Sequence, residues 1–339
     1  MLNIAIIGCG VISKRHAELL GGNRIEGARL AAVCDTDKQK AELLGSKFGV
    51  PAYFTMDNLI QEASVDVLVI LTPSGLHARH VCQMAKYGKH IIVEKPMALN
   101  IDDANEMIET CRDNNIGLYV IKQNRFNTPV KKTKEALDQG RFGNLFMGTV
   151  RIRWSRGQSY YDKDAWRGTW DLDGGILANQ ASHHLDLLLW MMGDVKSVFA
   201  KSINAIANID TEDTAVVLVK FKNGALGLIE ATTATRPRDL EGSLSILGDK
   251  ASVVIGGFSA NKLEVWNFSE EQESDKLMLE EYSQNPNIDH YAHQLFYEDI
   301  VSAINGDSEA LIDGFEGKKS VELIEAIYKS INLKEEIYL

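Results

Sequence analysis

The run Leu2-Asn-Ile-Ala-Ile-Ile7 passes straight into Gly8-Cys-Gly10-Val-Ile-Ser13, and no other stretch restricts the fold of this chain as tightly. The apolar residues read as a buried strand, and the polar stretch from Lys14 to Leu20 suits a helix. Glycines between a strand and a helix allow a tight turn at Gly8 and close backbone approach at Gly10, with the helix N-terminus aimed at an anion. That is how the pyrophosphate of a dinucleotide is held. Val11 and Ile12 fall inside the turn, and Ser13 replaces the usual third glycine with a residue still small enough for close helix-strand packing.

The next strands extend the pattern. Ala28-Arg-Leu-Ala-Ala-Val-Cys34 ends in Asp35, an acid where the adenosine ribose hydroxyls are gripped. An acid there repels a 2′-phosphate, so NAD is expected rather than NADP, with Lys38 and Lys40 nearby as the opposing signal. Val65 to Leu71 reads as a buried parallel strand, and Thr72-Pro73-Ser74-Gly-Leu-His77 as its loop, running along the cofactor. His77 and His80 are three apart on the following helix, but no third ligand stands at a suitable spacing, so no metal is expected.

A further apolar run, His90-Ile-Ile-Val93, ends in Glu94-Lys95-Pro96. Open α/β sheets hold ligands at the carboxyl ends of their strands, which makes Lys95 the first candidate for a catalytic group. Removing a hydride from an alcohol carbon requires a base for the hydroxyl proton, and an amine becomes that base near neutral pH when burial or a neighbouring cation lowers its pKa. Glu94 is placed to orient Lys95 or to contact the ribose. Gly117 to Ile121 reads as the last strand of this domain and delivers Lys122-Gln123-Asn124-Arg125 towards the same cleft.

Beyond this point the period changes to long alternating strands. Val150, Ile152 and Trp154 point one way, and Thr149, Arg151, Arg153 and Ser155 the other. Similar strands at 214–221, 225–232, 242–247 and 251–255 have no helical pattern between them. The expected fold class is therefore α/β: a doubly wound parallel sheet over residues 1–120, then an α+β domain over 121–339 with an open, mainly antiparallel sheet. The open face suggests a homodimer or homotetramer.

Between the first two of these strands lie Tyr160-Tyr-Asp-Lys-Asp-Ala-Trp166-Arg167 and, after Gly174-Gly175, a helix expected to reach Met192. On that helix Asn179 and His183 would share a face, with Asp186 one turn on: an amide and an imidazole suited to hydroxyl groups. His184 points elsewhere and reads as a packing residue. Two helices follow, His290 to Ile304 and Gly317 to Ile331, with His293 and Tyr297 facing the cleft from the first; the acidic run from Ser269 to Lys276 reads as a solvated loop.

Composition bounds the function. With 339 residues and a net charge of −11, broad binding to nucleic acid or an anionic membrane is excluded as an expectation, since both need a cationic surface. The four cysteines form no CxxC pair and read as reduced core residues. No apolar stretch has membrane-spanning length and no secretory leader is evident, so a cytoplasmic location is expected.

Taken in order, the Gly8/Gly10 turn, Asp35, Thr72-Pro-Ser-Gly-Leu-His77 and Glu94-Lys-Pro96 resemble the glucose-fructose oxidoreductase/inositol dehydrogenase (Gfo/Idh/MocA) family. The resemblance implies that Lys95 is the catalytic acid/base and that His183, in His183-x-x-Asp186, positions or deprotonates a substrate hydroxyl. Asn179 stands where inositol dehydrogenases of the family carry an aspartate. Further blocks narrow the likeness: Lys122-Gln-Asn-Arg125, Trp154-Ser-Arg156, Trp166-Arg-Gly-Thr-Trp170, Asn179-Gln-Ala-Ser-His183 and Ala231-Thr-Thr-Ala-Thr-Arg-Pro237 are similar to bacterial UDP-N-acetyl-2-amino-2-deoxyglucuronate 3-dehydrogenases of O-antigen synthesis. These oxidise C3 of the sugar with NAD, and a PLP-dependent partner usually aminates the product. The likeness puts Gln123, Trp166 and Arg167 at the cofactor, and it puts Asn124, Arg125, Arg153, Arg156 and His293 at the substrate beside Lys95, Asn179 and His183. Two other readings stay open: oxidation of a free sugar, cyclitol or dihydrodiol, and a dinucleotide-sensing regulator without turnover.

Overall fold

Four consecutive apolar residues, Val67-Leu-Val-Ile70, are buried without alternation, as in a strand covered on both faces. In the computed structural model, which describes residues 1–283 and 291–339, this strand lies inside a six-stranded sheet. The chain begins with β1 (Leu2–Ile7), α1 (Ser13–Gly21), β2 (Ala28–Cys34), α2 (Lys38–Phe48), β3 (Ala52–Tyr53), α3 (Met56–Glu62), β4 (Val67–Ile70), α4 (His77–Ala85), β5 (His90–Val93), α5 (Ile101–Asp113) and β6 (Leu118–Val120). Next come α6 (Thr128–Asp138), β7 (Leu145–Arg153), α7 (Gln158–Tyr161), α8 (Ser182–Met192), β8 (Val195–Ile203), β9 (Thr214–Phe221) and β10 (Leu226–Thr232). After them lie β11 (Glu241–Gly248), β12 (Ala251–Gly256), β13 (Lys262–Phe268), α9 (Glu273–Tyr282), α10 (Tyr291–Asn305), α11 (Gly314–Leu333) and β14 (Ile337–Tyr338). His290, the expected first residue of α10, lies outside the described residues.

Contacts divide the chain into two units. One comprises Met1–Gln123 together with α10 and the chain as far as Val321; the other runs from Asn124 through α9 and takes in Glu322–Leu339. The first holds the parallel sheet in the order β3-β2-β1-β4-β5-β6. Strand order reverses between β1 and β4, which creates the crevice where such sheets bind ligands. Local chemistry supports each crossover: Asp37 caps α2 by accepting from the Gln39 and Lys40 amides, and Asn100 caps α5 by accepting from Asp103. The outer edge of β6 is not left bare, since Tyr119 bridges to Asp313 and the Val120 amide donates to the Ile312 carbonyl.

The second unit holds an eight-stranded sheet in the order β13-β12-β11-β7-β10-β9-β8-β14. Every adjacent pair is antiparallel except β7 and β10, which run parallel. One face is apolar and buried, as Val150, Ile152, Val217, Val219, Ile229 and Ile246 show. The opposite face presents Val216, Leu218 and Leu226 to solvent. The acidic stretch expected as a loop instead feeds α9, because Gln272 and Asp275 form a reciprocal capping box that starts a helix at Glu273. Among the described residues no helix is long and apolar enough to cross a membrane.

Candidate active site

In the parallel sheet, Gly8, Asp35, Thr72, Glu94 and Lys95 all lie within two residues of the carboxyl ends of β1, β2, β4 and β5. Gly8 has φ +101°, and a side chain there would meet the Leu71 carbonyl at 2.7 Å, so the turn requires glycine. At Gly10, by contrast, nothing lies within 4 Å of a built Cβ, which leaves the backbone open to a ligand. No side chain caps the N-terminus of α1, so its amides are available to an anion. Ser13 stabilises the turn by donating to the Gly10 carbonyl at 2.7 Å. Asp35 accepts from the Cys9 amide at 2.7 Å and the Asp37 amide at 2.8 Å, which fixes the carboxylate beside the glycine turn. Lys40 pairs with Asp37 at 3.3 Å. The residues therefore fit an NAD molecule: open backbone and helix N-terminus for the pyrophosphate, and an oriented carboxylate for the ribose.

The loop after β4 is held by hydrogen bonds. Pro73 precedes a short 3₁₀ turn, Ser74–Leu76, and both ring nitrogens of buried His77 face carbonyl oxygens at 2.8 Å, those of Pro96 and Thr72. Burial pushes the His77 imidazole pKa down, and the neutral ring donates to one of these carbonyls at a time. His80 reaches the Thr72 hydroxyl at 3.0 Å. His77 thus ties the loop after β4 to the peptide beside Lys95, and the Lys95-Pro96 bond is cis. The Glu94 carboxylate accepts from the Lys95 amide at 2.7 Å. Lys122, after β6, donates to the Ser320 hydroxyl at 2.7 Å, and Gln123 opens a 3₁₀ turn that continues to Phe126.

In the second unit, Asn179 does not lie on the helix of His183. That helix, α8, begins at Ser182, and Asn179 belongs to the preceding turns, in which the Asn179 amide donates to Gly175 and the Ala181 amide to Ile176. Gly174, at φ +72°, bends the chain out of helical geometry. The Asn179 amide group is held instead by Asp173, which also accepts from the Gly168 amide at 2.7 Å. His183 is half-buried at the start of α8. His184 packs edge-on against Trp154 at 6.0 Å, and burial pushes its pKa down to about 4. Arg167 bonds to Asp164 at 3.0 Å and to the Tyr160 hydroxyl at 2.6 Å, and it lies over the Tyr160 and Trp166 rings. Arg156 pairs with Asp239 at 3.0 Å and lies over the Trp154 ring.

Three residues expected at the substrate have partners within their own units. Arg125 is buried and grips Asp186 through two nitrogens, at 2.9 and 2.8 Å, so its charge is neutralised within its own unit. Arg153 is matched by Glu230 at 2.6 Å and Glu241 at 3.1 Å on the outer face of the sheet, where the register brings the three side chains together. His293 is buried edge-on against His16 at 5.4 Å. Asn124 is buried at the start of the second unit. Sequence reading also passed over several residues that shape these sites, among them His16, Asp173, Glu212 and Tyr328. For Asp173 a signal existed, an acid before a glycine pair, but nothing in the sequence tied it to Asn179.

Comparison with known proteins bears on both parts of the chain. Residues 2–121 match the model of an oxidoreductase family's NAD-binding Rossmann fold, and residues 134–339 match that of the same family's C-terminal alpha/beta domain. The chain is 30% identical to myo-inositol 2-dehydrogenase of Thermotoga maritima, covering 95% of this chain and 96% of the relative. Among solved structures it resembles the WlbA dehydrogenase of Bordetella pertussis in complex with NADH and UDP-GlcNAcA, at 36% identity and a TM-score of 0.92 over 100% of this chain and 97% of that one. The WlbA enzyme of Chromobacterium violaceum, also with NADH and UDP-GlcNAcA, gives 36% identity and a TM-score of 0.94 over 100% and 96%. A family match across both parts, together with a dinucleotide turn built to fit NAD, places this chain in the Gfo/Idh/MocA oxidoreductase family as an NAD-dependent dehydrogenase acting on a CH–OH group.

Proposed function

We propose that this protein oxidises the C3 hydroxyl of a UDP-N-acetyl-aminosugar uronate, in the synthesis of a surface polysaccharide. The observation that carries the reading is the full-length likeness to two WlbA enzymes bound to NADH and UDP-GlcNAcA. Bound NAD supplies the hydride acceptor. Lys95 takes the hydroxyl proton on its amine as the C–H hydride leaves, so the alcohol becomes a ketone and no charge is stranded on oxygen. Asn179, oriented by Asp173, and His183 hold the reacting and neighbouring hydroxyls. Trp166 and Arg167 serve the nicotinamide end, and Arg156 the anionic part of the substrate. Gly8, Gly10, Val11, Ile12, Asp35, Thr72, Pro73, Ser74, His77 and Glu94 form the dinucleotide site, with Gln123 beside it.

A second reading, oxidation of a free polyol, is favoured by the myo-inositol 2-dehydrogenase of T. maritima. Asn179 speaks against it, because an amide does not support a histidine base as an aspartate does. NADH formation followed at 340 nm with UDP-GlcNAcA, the same uronate without UDP, and myo-inositol separates the two. Turnover is expected with the UDP-sugar alone; turnover with myo-inositol and none with UDP-GlcNAcA overturns the proposal.

A further inference from the structure

Behind Glu94 lies a cluster of buried polar side chains that the proposed chemistry does not use. His16, on α1, is fully buried, and its Nδ1 is 2.8 Å from the hydroxyl of Tyr297 on α10, itself fully buried. The other nitrogen, Nε2, lies 3.5 Å from Oε1 of Glu94, too long for a well-formed hydrogen bond. His293, one turn before Tyr297, closes the cluster edge-on against His16. Oε2 of Glu94 accepts the Lys95 amide. All of these groups belong to the unit of the parallel sheet.

An isolated buried carboxyl would keep its proton. Burial does push Glu94 up, but the facing His16, the charge of Lys95 and the hydrogen bond from the Lys95 amide outweigh it and hold Glu94 below its ordinary range. Tyr297 is driven far up by burial and the nearby Glu94, so its hydroxyl keeps its proton and can donate to Nδ1 of His16. That leaves the Nε2 proton of His16 facing Glu94. His77, which also feels the charge of Glu94, is held by two backbone carbonyls. Interactions between titrating groups are reciprocal: if the charge of Lys95 favours ionised Glu94, ionised Glu94 favours charged Lys95.

We propose that His16 and Tyr297 are positioning residues for the catalytic lysine: they keep Glu94 as a buried carboxylate, and that carboxylate sets the pH at which Lys95 becomes a base. The proposal rests on the reading of Lys95 as the proton acceptor. His16, Glu94 and His293 also bring their ligand atoms within 4.8 Å of one another, as a metal set would. A divalent ion there would place two further positive charges beside Lys95.

The test is the pH profile of kcat/KM for the full-length protein and its variants with UDP-GlcNAcA and NAD. In Glu94→Gln the ammonium of Lys95 loses its anionic neighbour, and the acidic limb is expected to move down by about one pH unit or more. His16→Gln and Tyr297→Phe are expected to move the limb in the same direction by less. Tyr297→Phe removes one hydroxyl only, and it carries the test if either other variant fails to fold by circular dichroism. An acidic limb unmoved in folded variants overturns the proposal, as does one equivalent of zinc found by elemental analysis of the purified protein. Lys95→Ala separates the two levels: normal turnover in it removes the underlying reading of Lys95, whereas an inactive Lys95→Ala beside an unmoved limb in Glu94→Gln removes only the role of the cluster.

Discussion

Glu212 is a buried carboxyl with one oxygen well served and the other not. Oε1 accepts from the Leu177 amide at 3.2 Å and the Tyr328 hydroxyl at 3.0 Å, while Oε2 has no hydrogen-bond partner among the described residues. Burial, opposed by those hydrogen bonds and aided by Asp173, raises its pKa to about 7 from an ordinary 4.5. A carboxyl whose folded pKa exceeds its unfolded value stabilises the fold fully below the unfolded value and loses that contribution as pH rises through the folded one. Stability should therefore fall between pH 4.5 and 7, by on the order of 3 kcal/mol. Glu212→Gln removes the ionisation: its urea midpoint should exceed that of the unmodified protein at pH 8 and match it near pH 4.5. Equal midpoints at pH 8 would show that Glu212 ionises without penalty. The places of Gly8, Asp35 and Lys95 were legible because each follows a recognisable strand. Glu212, Asp173 and His16 were not, since each acquires its role from a partner remote in sequence, and a single histidine in the polar run after Gly10 gives no sign of its burial.

At the scale of elements, Arg125 joins the 3₁₀ turn after β6 to α8. Its guanidinium meets Asp186 with both side chains almost wholly buried, and it lies over the Trp190 ring at 5.1 Å. Removing one partner of such a pair strands the other charge, which costs about 3–5 kcal/mol. Arg125→Met should lower unfolding stability by that amount in a denaturant titration, and Arg125→Lys should recover little of it, because an ammonium cannot reproduce the two-nitrogen grip. A loss below 1 kcal/mol for Arg125→Met would mean that Asp186 finds another partner or a proton. The strands of both sheets were largely visible as apolar runs and alternation. Alternation does not reveal direction, however, and the parallel pairing of β7 with β10 was missed. It depends on the long connection through α8 and the β8-β9 hairpin, since parallel neighbours need an extended crossover. The start of α8 was also placed too early, because the Gly174-Gly175 pair was read as a helix opening when it opens a run of turns.

For the whole molecule, the exposed face of the second sheet invites an explanation. Val216, Leu218 and Leu226 project from β9 and β10, and the register sets Leu228 opposite Leu218. An apolar strip of this kind on an open sheet is the expected site of self-association. Light scattering at micromolar concentration should report a dimer or tetramer, and Leu218→Asp should shift it towards monomer; a monomeric unmodified protein would leave the strip without that role. The fold class was readable from the order of the strands and the change of period near residue 121. What the sequence did not disclose is that α10 returns to the first unit, where Tyr297 meets His16 and the segment at Ile312 and Asp313 closes the edge of β6. That return has a consequence for biogenesis. The ribosome makes α10 and the start of α11 last of all the parts of the first unit, so the nucleotide-binding half cannot complete its core until most of the second unit has been synthesised. Its folding must wait on contacts of very long sequence separation, a slow step in a nascent chain.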